Sequence, residues 1–182
     1  MVEIKFAKGH PDAKIPTKRI EDAGYDIYAA FDEDYIEIDS NETKLIPTGI
    51  CSAFDSDYVM VLKERGSTGT KGIGQRSGII DSGYRNFWFV PVTNHNNKRL
   101  IISKFSKEDF LEKVIKTKIN YEKCKEYYDF YMENVIFYPY EKAIAQALLL
   151  PVPKSTSVEI SVEELQSIPS ERGMGALGSS SK

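Results

Sequence analysis

Cysteine is scarce in this chain of 182 residues. It has only Cys51 and Cys124, and no CxxC spacing joins them. A structural zinc site is therefore not expected, and the usage fits a reducing cytoplasm. Positive charge is in deficit. The 24 Lys and Arg against 27 Asp and Glu give a formal net charge of -3. That argues against bulk nucleic-acid binding, which favours a basic face, but leaves room for a nucleotide that needs only a few local cations. Long apolar runs are missing too, and none approaches the roughly 18 residues that span a bilayer. The first ten residues, MVEIKFAKGH, alternate in charge and lack an apolar core, so no signal peptide is expected. What remains is ordinary for a globular protein: 41% hydrophobic, 28% charged and a mean hydropathy of -0.37. The length suits one domain able to bury roughly 70% of its unfolded surface.

Most of the chain reads as short strands cut by turns. VEIKFA (2–7), YDIYAA (25–30), YIEI (35–38) and TKLIPTGICSAF (43–54) come first. DYVMVLKE (57–64), NFWFVPVTN (86–94) and RLIISKF (99–105) continue, and NVIFYPY (134–140), AIAQALLLPV (143–152) and TSVEISV (156–162) complete the series. Many β-branched and aromatic runs at this spacing predict an all-β sandwich or barrel.

Residues 106–132 break the rhythm. Ser106 and Asp109 stand at capping-box spacing, and Phe110, Leu111, Val114 and Ile115 form an apolar stripe of helical period. Tyr121, Cys124, Tyr128 and Met132 form a second stripe. The segment lies between two strand-like runs and is read as a helical insertion at the tip of a β-hairpin. Its tyrosines either pack on the parent sheet or present a partner-binding face. Residues 1–168 are expected to form the body. Residues 169–182, PSERGMGALGSSSK, form a Gly- and Ser-rich arm that is either a plain tail or a phosphate-wrapping segment.

Four stretches carry polar groups in unusual company. In GIIDSGYR (78–85), Asp81 ends an apolar run and Tyr84 follows after a Ser-Gly turn. The acid is either an ordinary turn residue or a placed carboxylate. In ERGSTGTKGI (64–73), Arg65 and Lys71 flank three hydroxyls on a flexible backbone. The spacing is not that of a Walker loop, yet the chemistry suits a polyphosphate. Asp26 sits inside an apolar strand, where a carboxylate needs a partner. Gln146 interrupts AIAQALLLP and brings donors and acceptors that the fold or a ligand must satisfy.

Taken in order, AGYDIYA, RGSTGTKG, GIIDSGYR, AIAQALL and RGMGALGSS resemble the five motifs of the trimeric dUTPase family. The resemblance implies a distorted jelly-roll, β-clip fold and a homotrimer with active sites shared between subunits. The implied reaction converts dUTP to dUMP and pyrophosphate, with Mg²⁺ carried on the triphosphate; it limits uracil incorporation into DNA and supplies dUMP. Asp81 matches the general base that takes a proton from the attacking water. Tyr84 matches the residue against the deoxyribose, where a ring leaves no room for a 2′-hydroxyl. Uracil would be read by the hairpin backbone entering Phe87–Pro91. Gly78 and Ile80 accompany that pocket, and Gln75 stands where the family usually has Asn. Arg65, Gly66, Ser67 and Gln146 match the phosphate site, as do Arg172, Gly178 and Ser179 of the arm. Asp26 matches an acid that reaches the magnesium through water.

The chain departs from the family pattern at three points. The Ser67 hydroxyl is displaced by one position, Ala143 replaces an Arg, and Leu177 stands where a Phe usually stacks on uracil. Trp88 or a neighbouring aromatic is expected to serve as the lid instead, since base stacking is worth about 1–3 kcal/mol. Two other readings remain: a dCTP deaminase-type relative, and a regulatory protein that binds a partner through residues 106–132.

Overall fold

The computed structural model describes residues 2–110, 112–113, 131, 133–171 and 173. Two compact units divide the chain, Met1–Val152 and Pro153–Lys182. Among the described residues, the first is all-β apart from short helical turns. Its strands are β1 (Lys5–Lys8), β2 (Gly24–Ile27), β3 (Tyr35–Ile38), β4 (Thr43–Pro47), β5 (Ile50–Ala53) and β6 (Tyr58–Lys63), then β7 (Ile73–Gln75), β8 (Ile79–Asp81), β9 (Phe89–Asn94), β10 (Arg99–Ser103), β11 (Val135–Pro139) and β12 (Ala145–Pro151). They form four small sheets, ordered β1-β5, β11-β10-β3, β2-β12-β6-β8 and β4-β9-β7. The arrangement is a jelly-roll-like β fold. No helix among the described residues is long and apolar enough to cross a membrane.

Alternation builds the core. Along β9 and the residue before it, Trp88, Val90 and Val92 turn inward, each at most 1% exposed. Phe87 and Phe89, of opposite phase, are 42% and 39% exposed. Trp88 packs edge-on against Phe6 with ring centroids 5.7 Å apart. This corrects the expectation that Trp88 serves as a lid: its indole is a core side chain at 0% exposure, and stacking on a base would require leaving the core.

A second correction concerns residues 106–132. The strands on either side, β10 and β11, pair in parallel, Arg99 opposite Val135 and Ser103 opposite Pro139. The segment is thus a crossover and not a hairpin tip; parallel neighbours require a connection of about a dozen residues or more. Most of the two apolar stripes lies outside the described residues, but both ends of the crossover are visible. A helical turn, α2 (Lys107–Phe110), begins after Ser106, whose hydroxyl accepts from the Asp109 N–H at 3.0 Å. Phe110 is 1% exposed and joins Ile101 in a small apolar cluster bordered by Tyr35, Tyr131 and Phe137. β10 is therefore buried on both faces: Leu100 and Ile102 in the main core, Ile101 under the crossover.

In the second unit, residues 156–161 belong to no strand, contrary to the expected run at 156–162. A short helix starts at Val162 instead and runs to Ser167, with Ser161 as its cap.

Candidate active site

The sheet β2-β12-β6-β8 carries the polar residues that the sequence singled out. Asp26 on β2 stands opposite Gln146 on β12, and Gln146 stands opposite Lys63 on β6. Gln146 donates through Nε2 to the Glu64 carbonyl at 2.8 Å. Its side chain lies over Gly24, where a Cβ would come within 2.6 Å of Oε1, so the glycine that opens β2 is what admits this amide. After β6 the chain winds into a single turn, α1 (Gly66–Gly69). Buried Thr68 fixes that turn, its hydroxyl accepting from the Arg65 N–H and donating to the Arg65 carbonyl. Arg65 is thereby brought to Asp26, with Nε 3.0 Å from Oδ1. Its Nη1 also donates to Ser67 Oγ at 3.4 Å and to the Ala143 carbonyl at 3.3 Å.

Around them is an open cleft of about 830 Å³ whose walls include Thr17, Lys18, Arg19, Glu21, Asp22, Gly24, Asp26, Arg65, Gly66, Ser67 and Gln146. Lys18, Arg19 and Asp22 had not been singled out, although the charged run KRIED directly before the first motif was the available signal. Arg19 and Asp22 form an ion pair at 2.8 Å. The hydrogen bond from Arg19 holds the Asp22 carboxyl below its ordinary range, and the bond to Asp22 raises Arg19. Lys18 donates to the Asp22 carbonyl at 2.7 Å. Three cations (Lys18, Arg19, Arg65) meet three carboxylates (Glu21, Asp22, Asp26), so the cleft is neutral in formal charge.

Asp81 is not in that cleft. It is the exposed last residue of β8, opposite Val59 of β6. Its carboxylate makes no hydrogen bond or ion pair among the described residues. The Tyr84 N–H donates to the Asp81 carbonyl at 3.0 Å, closing a β-turn. The Tyr84 hydroxyl donates to the Phe87 carbonyl at 3.1 Å, and its ring remains 39% exposed. Gly78, at φ +141°, accepts at its carbonyl from the Leu62 N–H. A Cβ there would meet the Leu62 carbonyl at 2.8 Å. Ile80 is buried, and its strand lies at the edge of the sheet, paired on one side only, opposite Met60 of β6. Gln75 donates through Nε2 to the Ser77 carbonyl and through its backbone N–H to Glu64. Its Oε1 is buried and has no partner among the described residues. Glu64 is held below the ordinary carboxylate range by its own backbone N–H and, against the cost of burial, by that of Gln75 and by Lys63.

The sheet geometry separates the two groups. Asp81 lies three strands from Asp26 and four residues along, since Asp26 aligns through Gln146 with Lys63 while Asp81 aligns with Val59. At about 4.8 Å per strand and 3.4 Å per residue, the two positions are roughly 20 Å apart. Arg172, Leu177, Gly178 and Ser179 lie outside the described residues.

A family model for dUTPase matches residues 12–130. The chain belongs to the dUTPase family. Dutp diphosphatase is the activity that goes with that membership. The deoxyuridine 5′-triphosphate nucleotidohydrolase of Nautilia profundicola is 29% identical over 185 residues, covering all of both chains. Among solved structures, the dUTPase of Staphylococcus bacteriophage 80alpha with dUPNHPP aligns over 97% of each chain with a TM-score of 0.63 at 18% identity. A mutant dUTPase from phage phi11 of S. aureus, notable for its coordinated structural Mg(II) ion, aligns over 87% of this chain and 96% of its own, with a TM-score of 0.61 at 16% identity.

Proposed function

We propose that the chain hydrolyses dUTP at the α-phosphorus as a homotrimer, each active site drawing Asp81 from one subunit and the Asp26–Arg65–Gln146 cleft from another. The supporting observation is the roughly 20 Å between these groups within one subunit, too far for a single triphosphate to touch both. Asp81 has the chemistry of a general base, an exposed carboxylate with no partner among the described residues to consume its lone pairs. It takes a proton from water as the new P–O bond forms at the α-phosphorus and the bond to the bridging oxygen breaks, releasing pyrophosphate. Tyr84, tethered at its hydroxyl, lies against the deoxyribose, and the backbone of Gly78 and Ile80, with Gln75, reads uracil; β8 and β9 lie in different sheets, so the stretch entering Phe87–Pro91 is not the hairpin expected for that task. Arg65, Gly66, Ser67 and Gln146 hold the phosphates, and Arg172, Gly178 and Ser179 of the arm add to them. Phosphoryl transfer of this kind rests on positioning and charge neutralisation.

Magnesium fits the donor set. No group of three or more His, Cys, Asp or Glu side chains converges among the described residues. Mg²⁺, however, is typically held by one or two carboxylates plus the phosphates of a substrate. Asp26 is the carboxylate placed to reach it, through water. The ion would supply positive charge that a formally neutral cleft does not offer a polyanion. By removing dUTP, the enzyme limits uracil in DNA and provides dUMP, in a cytoplasmic setting.

The test is pyrophosphate release measured with dUTP, dCTP, dTTP and UTP in Mg²⁺. Turnover of dUTP alone is expected, with a loss of about 10²–10⁴ in Asp81→Asn. Ammonia from dCTP would instead assign a deaminase, and an unimpaired Asp81→Asn would remove Asp81 as the base.

A further inference from the structure

The Asp81 carboxylate has no partner of its own among the described residues, so its position is set by backbone alone. Behind it, β8 is only three residues long and ends at Asp81. Ahead of it, residues 82–87 leave that sheet, and the chain joins a different one at Trp88, whose N–H donates to the Ile50 carbonyl of β5 at 2.8 Å. An antiparallel ladder continuing from that bond would send the N–H of residue 86 to the carbonyl of residue 52. A side chain fills that place. Arg85 donates through Nη1 to the Ser52 carbonyl at 3.3 Å, and the same nitrogen donates to the carbonyls of Ser82 and, at 3.3 Å, Tyr84. One guanidinium nitrogen thus gathers two carbonyls of the loop and joins them to β5, which is itself paired with β1 at Phe6–Ser52.

We infer that Arg85 is a positioning residue for Asp81 and Tyr84. It fixes the orientation of the Asp81–Tyr84 turn, and so the place of the attacking water relative to the deoxyribose, without touching the nucleotide. This rests on Asp81 being the base. The guanidinium stays charged, and the two hydrogens of its Nη1, fixed in a rigid plane, are shared among the three carbonyls; an ammonium on a flexible stem is not held to that plane. A displacement of about 1 Å in a reacting group can cost 10²-fold in rate.

The experiment is steady-state kinetics of dUTP hydrolysis by Arg85→Ala and Arg85→Lys, with Asp81→Asn alongside and trimer content measured for each. Expected is a fall in kcat of about 10- to 100-fold for Arg85→Ala with KM within about threefold, and an intermediate kcat for Arg85→Lys. A kcat within twofold of the parent in both variants overturns the inference while leaving Asp81 as the base. A large rise in KM at constant kcat also overturns it, since that would make Arg85 a phosphate ligand. Should Arg85→Ala fail to assemble, Arg85→Lys decides by the same criteria. An active Asp81→Asn would defeat the reading on which the inference rests, and is distinguishable from both results.

Discussion

Arg65 Nε lies 3.0 Å from Asp26 Oδ1, both residues lining the cleft. The guanidinium is held in place before any nucleotide arrives, and the carboxylate that holds it is the one proposed to meet a hydrated cation. The two tasks oppose each other. Removing the acid frees Arg65 for phosphate while weakening the metal's foothold. Asp26→Asn is expected to strengthen binding of a non-hydrolysable dUTP analogue several-fold in EDTA, while shifting the activation midpoint for Mg²⁺ to higher concentration. Titration calorimetry and a magnesium titration of activity check the two halves.

The proposed sharing of sites between subunits makes a complementation test possible. Asp81→Asn and Arg65→Ala should each be nearly inactive alone. Refolded together, they should regain activity, since about a quarter of randomly assembled sites draw both intact residues. Equal mixing followed by a pyrophosphate assay measures it, and no recovery would place both groups in one subunit's site.

The crossover ends should be structural. Phe110 is 1% exposed, with ring centroids 4.8 Å from Tyr35 and 5.8 Å from Phe137, both edge-on. Phe110→Ala is expected to cost about 3–5 kcal/mol, read as a lowered denaturation midpoint. A midpoint unchanged within error would show that the cluster beneath the crossover contributes little.

Gly78 sits at φ +141° with the Leu62 carbonyl 2.8 Å from the place of a Cβ. Gly78→Ala should cost roughly 1–3 kcal/mol in backbone strain and shift the strand that ends at Asp81. Loss of kcat together with a lowered Tm is the expected outcome.

Alkaline pH should weaken the fold through Tyr140. Burial pushes its hydroxyl up to about 12, with the bond to Asp12 adding to the rise, from an ordinary value of 10.0. A group whose folded pKa is raised contributes stability that is complete below the unfolded value and lost as pH climbs through the folded one. Stability should therefore decline between about pH 10 and pH 12, and less steeply in Tyr140→Phe. Denaturant midpoints across that range test it, with Tyr131, also raised to about 12, contributing in the same sense.

The sequence was most informative where local chemistry and order along the chain agree. The five motifs named the family, and the runs YIEI, DYVMVLKE and AIAQALLLPV fall on β3, β6 and β12 within a residue or two. Trp88 was misread although the signal was present: period-two alternation puts it in phase with Val90 and Val92 and out of phase with Phe87 and Phe89. The parallel pairing of β10 and β11 was not legible from either strand, because pairing direction is decided between distant segments. The length of the intervening chain was its one trace. Lys18, Arg19 and Asp22 were missed because charged residues in a loop resemble solvated surface until the fold wraps them around a cleft.

The direction of β11 also governs how the molecule can be trimmed. A chain leaving β10 at Ser103 must travel back along the strand to enter β11 at Val135, beside Arg99. That return is about 14 Å. Excising 106–132 would leave four residues to bridge it, drawn almost taut at about 3.3–3.6 Å each. A minimal variant therefore needs a replacement tether of several extra residues. Without one, a failed excision would report a mechanical fault in the splice and say nothing about what the removed segment does.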